Sequence, residues 1–136
     1  MPRKPKALVF DSWAVLAYLG DEVCGQAVAD LITGAHESRI PMYMSVVNAG
    51  EVWYILAREI SEAQADKAMT DLTNLGIELI DADWPLTRSA GTFKARHRMS
   101  YADCFAAALA KERRCELVTG DKEFKQVEGE ISVRWL

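Results

Sequence analysis

The chain lacks any apolar run long enough to cross a membrane. Its hydrophobic stretches fall far short of the roughly 18 residues that a bilayer span requires, and its basic start, residues 1–6, lacks the apolar core of a secretion signal. No polar low-complexity tract interrupts the 136 residues, so length and composition predict one globular domain over 1–136. We therefore expect a soluble, cytoplasmic protein without membrane attachment.

Cysteine is scarce and poorly spaced for a structural role. Cys24, Cys104 and Cys115 are odd in number and form no C-x-x-C pair. This pattern argues against both a disulfide framework and a zinc site. We expect three reduced thiols that behave as small apolar side chains.

The chain also lacks the basic excess that is usual in nucleic-acid-binding domains, because its formal net charge is −4. The distribution of charge is more informative than the sum. Lys94, Arg96 and Arg98, here called the basic run, are concentrated just before Asp103. Such a run is commonly only a solvated face, and we interpret it as a functional feature only if the nearby acids form a site.

Short apolar segments alternate with segments of helical periodicity along the whole chain. Strands are predicted at 6–10, 41–44, 77–80, 115–119 and 131–135, and helices at 12–19, 22–32, 46–58, 61–75, from 83 onward, 100–113 and 121–127. Strands separated by helices imply βαβ crossovers and an α/β/α sandwich with a central, mostly parallel five-stranded sheet. In such sheets, ligands bind beyond the carboxyl ends of the strands.

Four acids occupy positions where an α/β chain has no general structural need for charge: Asp11, Glu51, Asp103 and Asp121. Asp11 and Asp121 each follow a predicted strand, but either could simply cap the next helix. Asp103 completes S-Y-A-D, which also fits a capping box. Glu51 lies beside apolar residues of its helix and could extend outward to solvent. Each acid alone thus has a structural alternative.

Convergence of the four acids would require a cation. Two carboxylates about 5 Å apart repel each other by roughly 3 kcal/mol at an effective dielectric constant of about 20. Oxygen ligands suit Mg²⁺ or Mn²⁺ and not zinc. Such a site activates water for in-line attack on a phosphodiester and needs no histidine nucleophile.

Four short motifs follow one another in a fixed order along the chain. They are D-S-W-A-V-L from Asp11, N-A-G-E-V from Asn48, S-Y-A-D-C-F-A-A-A-L-A from Ser100 and V-T-G-D-K-E-F from Val118. With them the chain resembles PIN-domain nucleases and, more closely, the VapC-type ribonuclease toxins of type II toxin–antitoxin systems. The resemblance implies a PIN fold, Mg²⁺- or Mn²⁺-dependent endoribonuclease activity on RNA, a homodimer, and neutralisation by a small cognate antitoxin.

Residue roles follow from the same resemblance. Motif position assigns metal binding and catalysis to Asp11, Glu51, Asp103 and Asp121, and supporting contacts at the substrate to Ser12 and Thr119. Under this interpretation the basic run grips RNA phosphates, so that RNA binding is salt-sensitive despite the acidic total.

The chain departs from the family pattern at two positions. Trp13 stands where a small or polar residue is usual, and we expect it to narrow the site or to shape the substrate cleft. Glu123 stands where many relatives have another aspartate, and its role as an auxiliary ligand is left open.

Three other functions compete with the nuclease interpretation. A haloacid-dehalogenase-type phosphatase needs a second aspartate two residues after the first, where this chain has Trp13. A receiver-type phospho-acceptor needs its aspartate at the end of the third strand, whereas the mid-chain acid here, Glu51, lies in a predicted helix. A catalytically silent PIN-like module that binds RNA or protein remains as the alternative.

Overall fold

The computed structural model of the protein describes residues 5–20 and 22–136; Arg3 and Lys4, in the basic start of the chain, lie outside these ranges. In order, the elements are β1 (Leu8–Phe10), α1 (Ser12–Leu19), α2 (Gly25–Ser38), β2 (Met42–Ser45), α3 (Val46–Glu59), α4 (Glu62–Asn74), β3 (Ile77–Ile80), α5 (Trp84–Arg96), α6 (Tyr101–Arg113), β4 (Glu116–Thr119), a 3-10 helix (Lys122–Val127) and β5 (Ser132–Trp135). Every helix within these ranges is too short or too polar to cross a bilayer.

The five strands form one sheet in the order β3-β2-β1-β4-β5. All four strand pairings are parallel, and Val9 of the central strand lies opposite both Tyr43 and Leu117. This arrangement confirms the predicted α/β class and the mostly parallel five-stranded sheet. Since β1 is the middle strand, its carboxyl end adjoins those of β2 and β4.

The two faces of the sheet bury separate apolar cores, because side chains alternate along each strand. Val9 and Leu117 face a core that includes Phe93 of α5 and the alanine-rich middle of α6. Leu8 and Phe10 face the opposite core, which includes residues of α1 to α4. The chain is therefore an α/β/α sandwich, with β1 completely buried between its layers.

Side-chain caps begin most of the helices at the predicted places. Asp11, Ser45, Ser61, Asp83 and Ser100 each accept a hydrogen bond from a backbone N–H of the first turn that follows. For the helices that follow β1 and β2, the cap is next to the carboxyl end of the strand. The sequence thus turns from strand to helix at the edge of the sheet that carries the candidate acids.

The second helix differs from the prediction of 22–32, since it spans Gly25–Ser38. Gly34 does not interrupt the helix, and a Cβ added there would meet nothing within 4 Å, so this glycine lies on an open side of the helix. The helix ends instead at Arg39, which adopts the left-handed conformation with φ of 56°. At its start, Gly25 approaches α1 closely, because an added Cβ would lie 2.8 Å from the Ala17 carbonyl oxygen.

Candidate active site

Asp11 stands at the junction of β1 and α1 and is only 1% exposed. Its Oδ1 accepts a hydrogen bond from the Ala14 N–H at 2.8 Å, and its Oδ2 accepts one from the Thr119 hydroxyl at 2.5 Å. Burial raises the pKa of Asp11 from 3.8 to about 7, even though both hydrogen bonds lower it. Capping alone does not explain this residue, because a serine would cap α1 without a buried carboxylate.

The Thr119 hydroxyl links Asp11 to the turn that follows β4. While it donates to Asp11, it accepts a hydrogen bond from the Asp121 N–H at 3.0 Å. Oδ1 of Asp121 in turn accepts from the Glu123 N–H at 3.0 Å and caps the 3-10 helix. Thr119 and Asp121 thus lie where adjacent parallel strands were expected to place them, at one edge of the sheet with Asp11.

Asp103 joins these acids from the first turn of α6. Burial first, then the charge of Asp121 and, more weakly, the charges of Glu51 and Glu123 raise the pKa of Asp103 from 3.8 to about 6, although the hydrogen bond with Ser100 lowers it. Asp103 and Asp121 also contribute to the raised pKa of Asp11. The four predicted acids and Glu123 are therefore close enough to interact electrostatically, and Asp103 interacts with each of the others.

Asn48 ties together three helices around this neighbourhood. It is fully buried on α3, one turn before Glu51, and its amide nitrogen donates to the Ala102 carbonyl at 3.0 Å and to the Ser12 hydroxyl at 3.4 Å. The Ser12 hydroxyl donates to the backbone carbonyl of Asn48 at 3.3 Å. Since Ala102 precedes Asp103, this clamp fixes the positions of α1, α3 and α6 relative to one another.

No ion pair neutralises the acids in the described ranges. The ion pairs found there are Lys67–Asp71, His97–Glu130 and Arg134–Glu116. Nor, among these residues, is any group of three or more His, Cys, Asp or Glu side chains arranged as a ready set of metal ligands. The donors at the edge are nevertheless all oxygen atoms, which fit Mg²⁺ or Mn²⁺, and the carboxylates would have to turn toward an ion to bind it.

The three residues of the basic run have different surroundings near the end of α5. The Lys94 ammonium donates to a backbone carbonyl in the loop before α6 at 2.6 Å. Arg96 lines a surface cavity that also includes Lys111, near the far end of α6. The backbone of Arg98 is held by the Gln126 side chain. A contact of these three side chains with RNA stays a prediction.

Sequence reasoning missed two residues of the site. Asn48 was part of a quoted motif, but no role was assigned to it; its place one helical turn before Glu51 was the available signal. Gly120 was likewise part of a quoted motif without an assigned role. In the fold it lies against the indole ring of Trp13, a contact across more than one hundred positions that no local pattern contains.

The chain matches one family model and is similar to several solved structures. The family model of the PIN domain matches residues 8–130, whereas no curated protein matches. VapBC2 from Rickettsia felis, solved with a DNA fragment from its promoter, is similar with a TM-score of 0.75 and 15% identity, over 94% of this chain and 97% of that one.

Two structures from Mycobacterium tuberculosis are also similar. VapC20, described as a toxin that cleaves the sarcin-ricin loop, has a TM-score of 0.69 and 19% identity over 94% of this chain and 99% of that one. VapBC-5, of the VapBC family of toxin–antitoxin systems, has a TM-score of 0.62 and 20% identity over 97% and 98%. At such identities the similarity concerns the fold.

Proposed function

The chain belongs to the PIN domain family, and from this premise we propose that it is a Mg²⁺- or Mn²⁺-dependent endoribonuclease, the toxin of a toxin–antitoxin pair. The proposed reaction is hydrolysis of RNA phosphodiester bonds by metal-activated water at a site of four carboxylates, Asp11, Glu51, Asp103 and Asp121. The alternative is a catalytically silent PIN-like module that binds RNA or protein.

The observation that carries the proposal is the uncompensated charge at the carboxyl edge of the sheet. Burial first, and to a smaller extent neighbouring carboxylates, raise the pKa values of Asp11 and Asp103, and among the described residues no cation is paired with them. A fold gains no stability from such an arrangement, because buried like charges are costly. Perturbed carboxyls gathered at a strand edge are typical of functional sites.

In this proposal, carboxylate oxygens of Asp11, Glu51, Asp103 and Asp121 hold the divalent ion. When bound, Mg²⁺ or Mn²⁺ acts as a Lewis acid at the phosphodiester and makes hydroxide available near neutral pH. The start of α6 favours a negative charge on Asp103, which keeps that residue suited to ligate a cation. Glu123, whose charge also raises the pKa of Asp103, is left open as an auxiliary ligand.

The remaining contribution of the protein is positioning. The Thr119 hydroxyl orients the Asp11 carboxylate while it holds the backbone of Asp121. The Asn48 clamp fixes the helix that carries Glu51 against the start of the helix that carries Asp103. A site held in this way loses little free energy to reorganisation during the reaction.

Partners are proposed on the same grounds. The similar proteins from Rickettsia felis and Mycobacterium tuberculosis are named as VapBC proteins, and one of them is described as a member of a toxin–antitoxin family. We propose RNA as the substrate, a small cognate antitoxin as the inhibitor, a homodimer as the assembly and the cytoplasm as the location.

The test is cleavage of a mixed cellular RNA pool by the purified protein with Mg²⁺ or Mn²⁺. The controls are EDTA, the Asp103→Asn variant and Asp81→Asn, which alters an exposed aspartate that directly follows a different strand, β3. We expect discrete fragments with the wild type and Asp81→Asn, and none with EDTA or Asp103→Asn. Cleavage that survives EDTA or Asp103→Asn would contradict the proposed site.

Mn²⁺ binding by calorimetry distinguishes the alternative function. A wild type that binds the ion but cleaves no RNA would refute the nuclease proposal in favour of the silent module. Ion binding is measured separately from cleavage because the described residues hold no ready set of metal ligands.

A further inference from the structure

The indole ring of Trp13 lies flat against Gly120. A Cβ built at Gly120 would lie 2.3, 2.4 and 2.7 Å from the ring atoms Cη2, Cζ3 and Cζ2 of Trp13. These three nearly equal distances indicate that the ring presents its face, because an edge-on ring would hold the two flanking carbons much farther away than the central one. Any side chain at position 120 would therefore displace the ring.

The Trp13 side chain is also open to solvent, since the residue is 36% exposed. In the part of the chain that the structure describes, no aromatic ring or cation stacks on Trp13, and its indole N–H makes no hydrogen bond. Trp53, by contrast, donates its N–H to Asp66 at 2.8 Å.

Both residues of this contact, Trp13 and Gly120, are close in sequence to acids of the candidate site. Trp13 is two residues after Asp11, and Gly120 lies between Thr119 and Asp121. The same two segments are joined by the hydrogen bond between Thr119 and Asp11. The ring is thus fixed by the backbone that positions two of the four acids.

We propose that Trp13 is the stacking platform for one nucleobase of single-stranded RNA, next to the phosphodiester at the acid edge. This inference rests on the proposed nuclease function and adds the residue that holds a base. A flat aromatic face accepts any base, because stacking is sequence-tolerant, and a ring already immobilised on Gly120 loses little freedom when a base stacks on it. The unpaired indole N–H is available to a phosphate or a base edge.

The test compares Trp13→Leu and Trp13→Phe with a matched control, Trp84→Leu, which alters a more exposed tryptophan at the start of α5. The readouts are KM and kcat for RNA cleavage and the affinity for Mn²⁺ in the absence of RNA. We expect Trp13→Leu to raise KM roughly 5- to 100-fold, the range that corresponds to loss of one stacked base. Trp13→Phe, which keeps an aromatic face, should lose much less, and Trp84→Leu should match the wild type.

Retention of kcat and Mn²⁺ affinity in Trp13→Leu separates substrate stacking from a merely structural role. A KM equal to that of the wild type would overturn the proposal. So would a parallel loss of Mn²⁺ affinity, because the ring would then only support the edge. Gly120→Ala provides a second variant that keeps the indole but moves it, and it should also raise KM.

A binding experiment keeps this inference distinct from the proposed activity. Single-stranded oligoribonucleotides are titrated into Asp103→Asn, and tryptophan fluorescence is followed with and without Trp13→Phe. Quenching that disappears with Trp13→Phe supports the platform even if the wild type cleaves nothing. Binding without a contribution from Trp13 overturns the platform alone, and absence of any RNA binding overturns both proposals.

Discussion

Replacing Asp11 with asparagine should stabilise the metal-free protein near neutral pH. The pKa of this carboxyl is about 7 in the fold and 3.8 ordinarily, a difference of about three units. At about 1.4 kcal/mol per unit, ionised Asp11 costs the folded state about 4 kcal/mol above pH 7, as an upper value. Asparagine removes that cost and can still cap α1.

The sign of the pH dependence follows from the raised pKa. Between pH 4 and 7 the unfolded chain has released the Asp11 proton while the fold retains it, so the free energy of unfolding falls as pH rises through this window. Below it both states are protonated, and above it both are ionised. The wild type should therefore lose stability relative to Asp11→Asn from pH 4 to pH 7, and the gap should then stay constant.

Urea denaturation in EDTA at intervals from pH 4.5 to 7.5 measures this gap. Subtracting the free energies of unfolding of the two proteins cancels the titration of the remaining groups, apart from the coupling of Asp11 with Asp103 and Asp121. Asp83→Asn is the matched control, since Asp83 caps α5 through the Leu86 N–H at 2.9 Å but is exposed to water. A gap between wild type and Asp11→Asn that does not vary with pH would refute the assignment of a costly buried carboxylate.

Three further predictions concern the surroundings of the acids. Thr119→Val orphans Oδ2 of Asp11 and the Asp121 N–H, so it should cost roughly 1–3 kcal/mol per group in urea denaturation, whereas Thr119→Ser should cost little. Asn48→Ala should lower the free energy of unfolding by about 1–3 kcal/mol, because the carbonyl of residue 102 loses its hydrogen-bond donor. Asn74→Ala, at an exposed position, should not lower it. Equal stability of Asn48→Ala and the wild type would argue against the clamp. Alanine at all three positions of the basic run should weaken RNA binding and flatten its salt dependence while Mn²⁺ affinity is retained; unaltered RNA affinity would exclude the run from the interface.

The parts of the site that follow from local sequence were predictable. Asp11 follows β1 and Thr119 ends β4, so a parallel sheet was sufficient to bring both to one edge, whereas the pairing of these two strands was not predicted. Asp103 followed from its helix start. The raised pKa values of Asp11 and Asp103 arise first from burial and only secondarily from neighbouring carboxylates, and the metal site itself stays a prediction.

What could not be predicted depends on contacts between distant segments. The Asn48 amide reaches a carbonyl 54 residues away, and although its place one helical turn before Glu51 was a local signal, the partner of the amide was not predictable from local sequence. The pairing of Trp13 with Gly120 likewise exists only after β1 and β4 are adjacent. The predicted end of α2 was too early. The helix continues through Gly34, which lies on an open side of the helix, and it ends only at the left-handed Arg39.

The strand order β3-β2-β1-β4-β5 also constrains when the acids can meet during synthesis. β1 is made first and pairs with β2, but its other side stays open until residues 116–119 have been translated and inserted. Until then Asp11 has neither the Thr119 hydroxyl nor Asp121 beside it. A ribosome making this protein thus carries a nascent chain whose acid edge stays incomplete until β4 has been made.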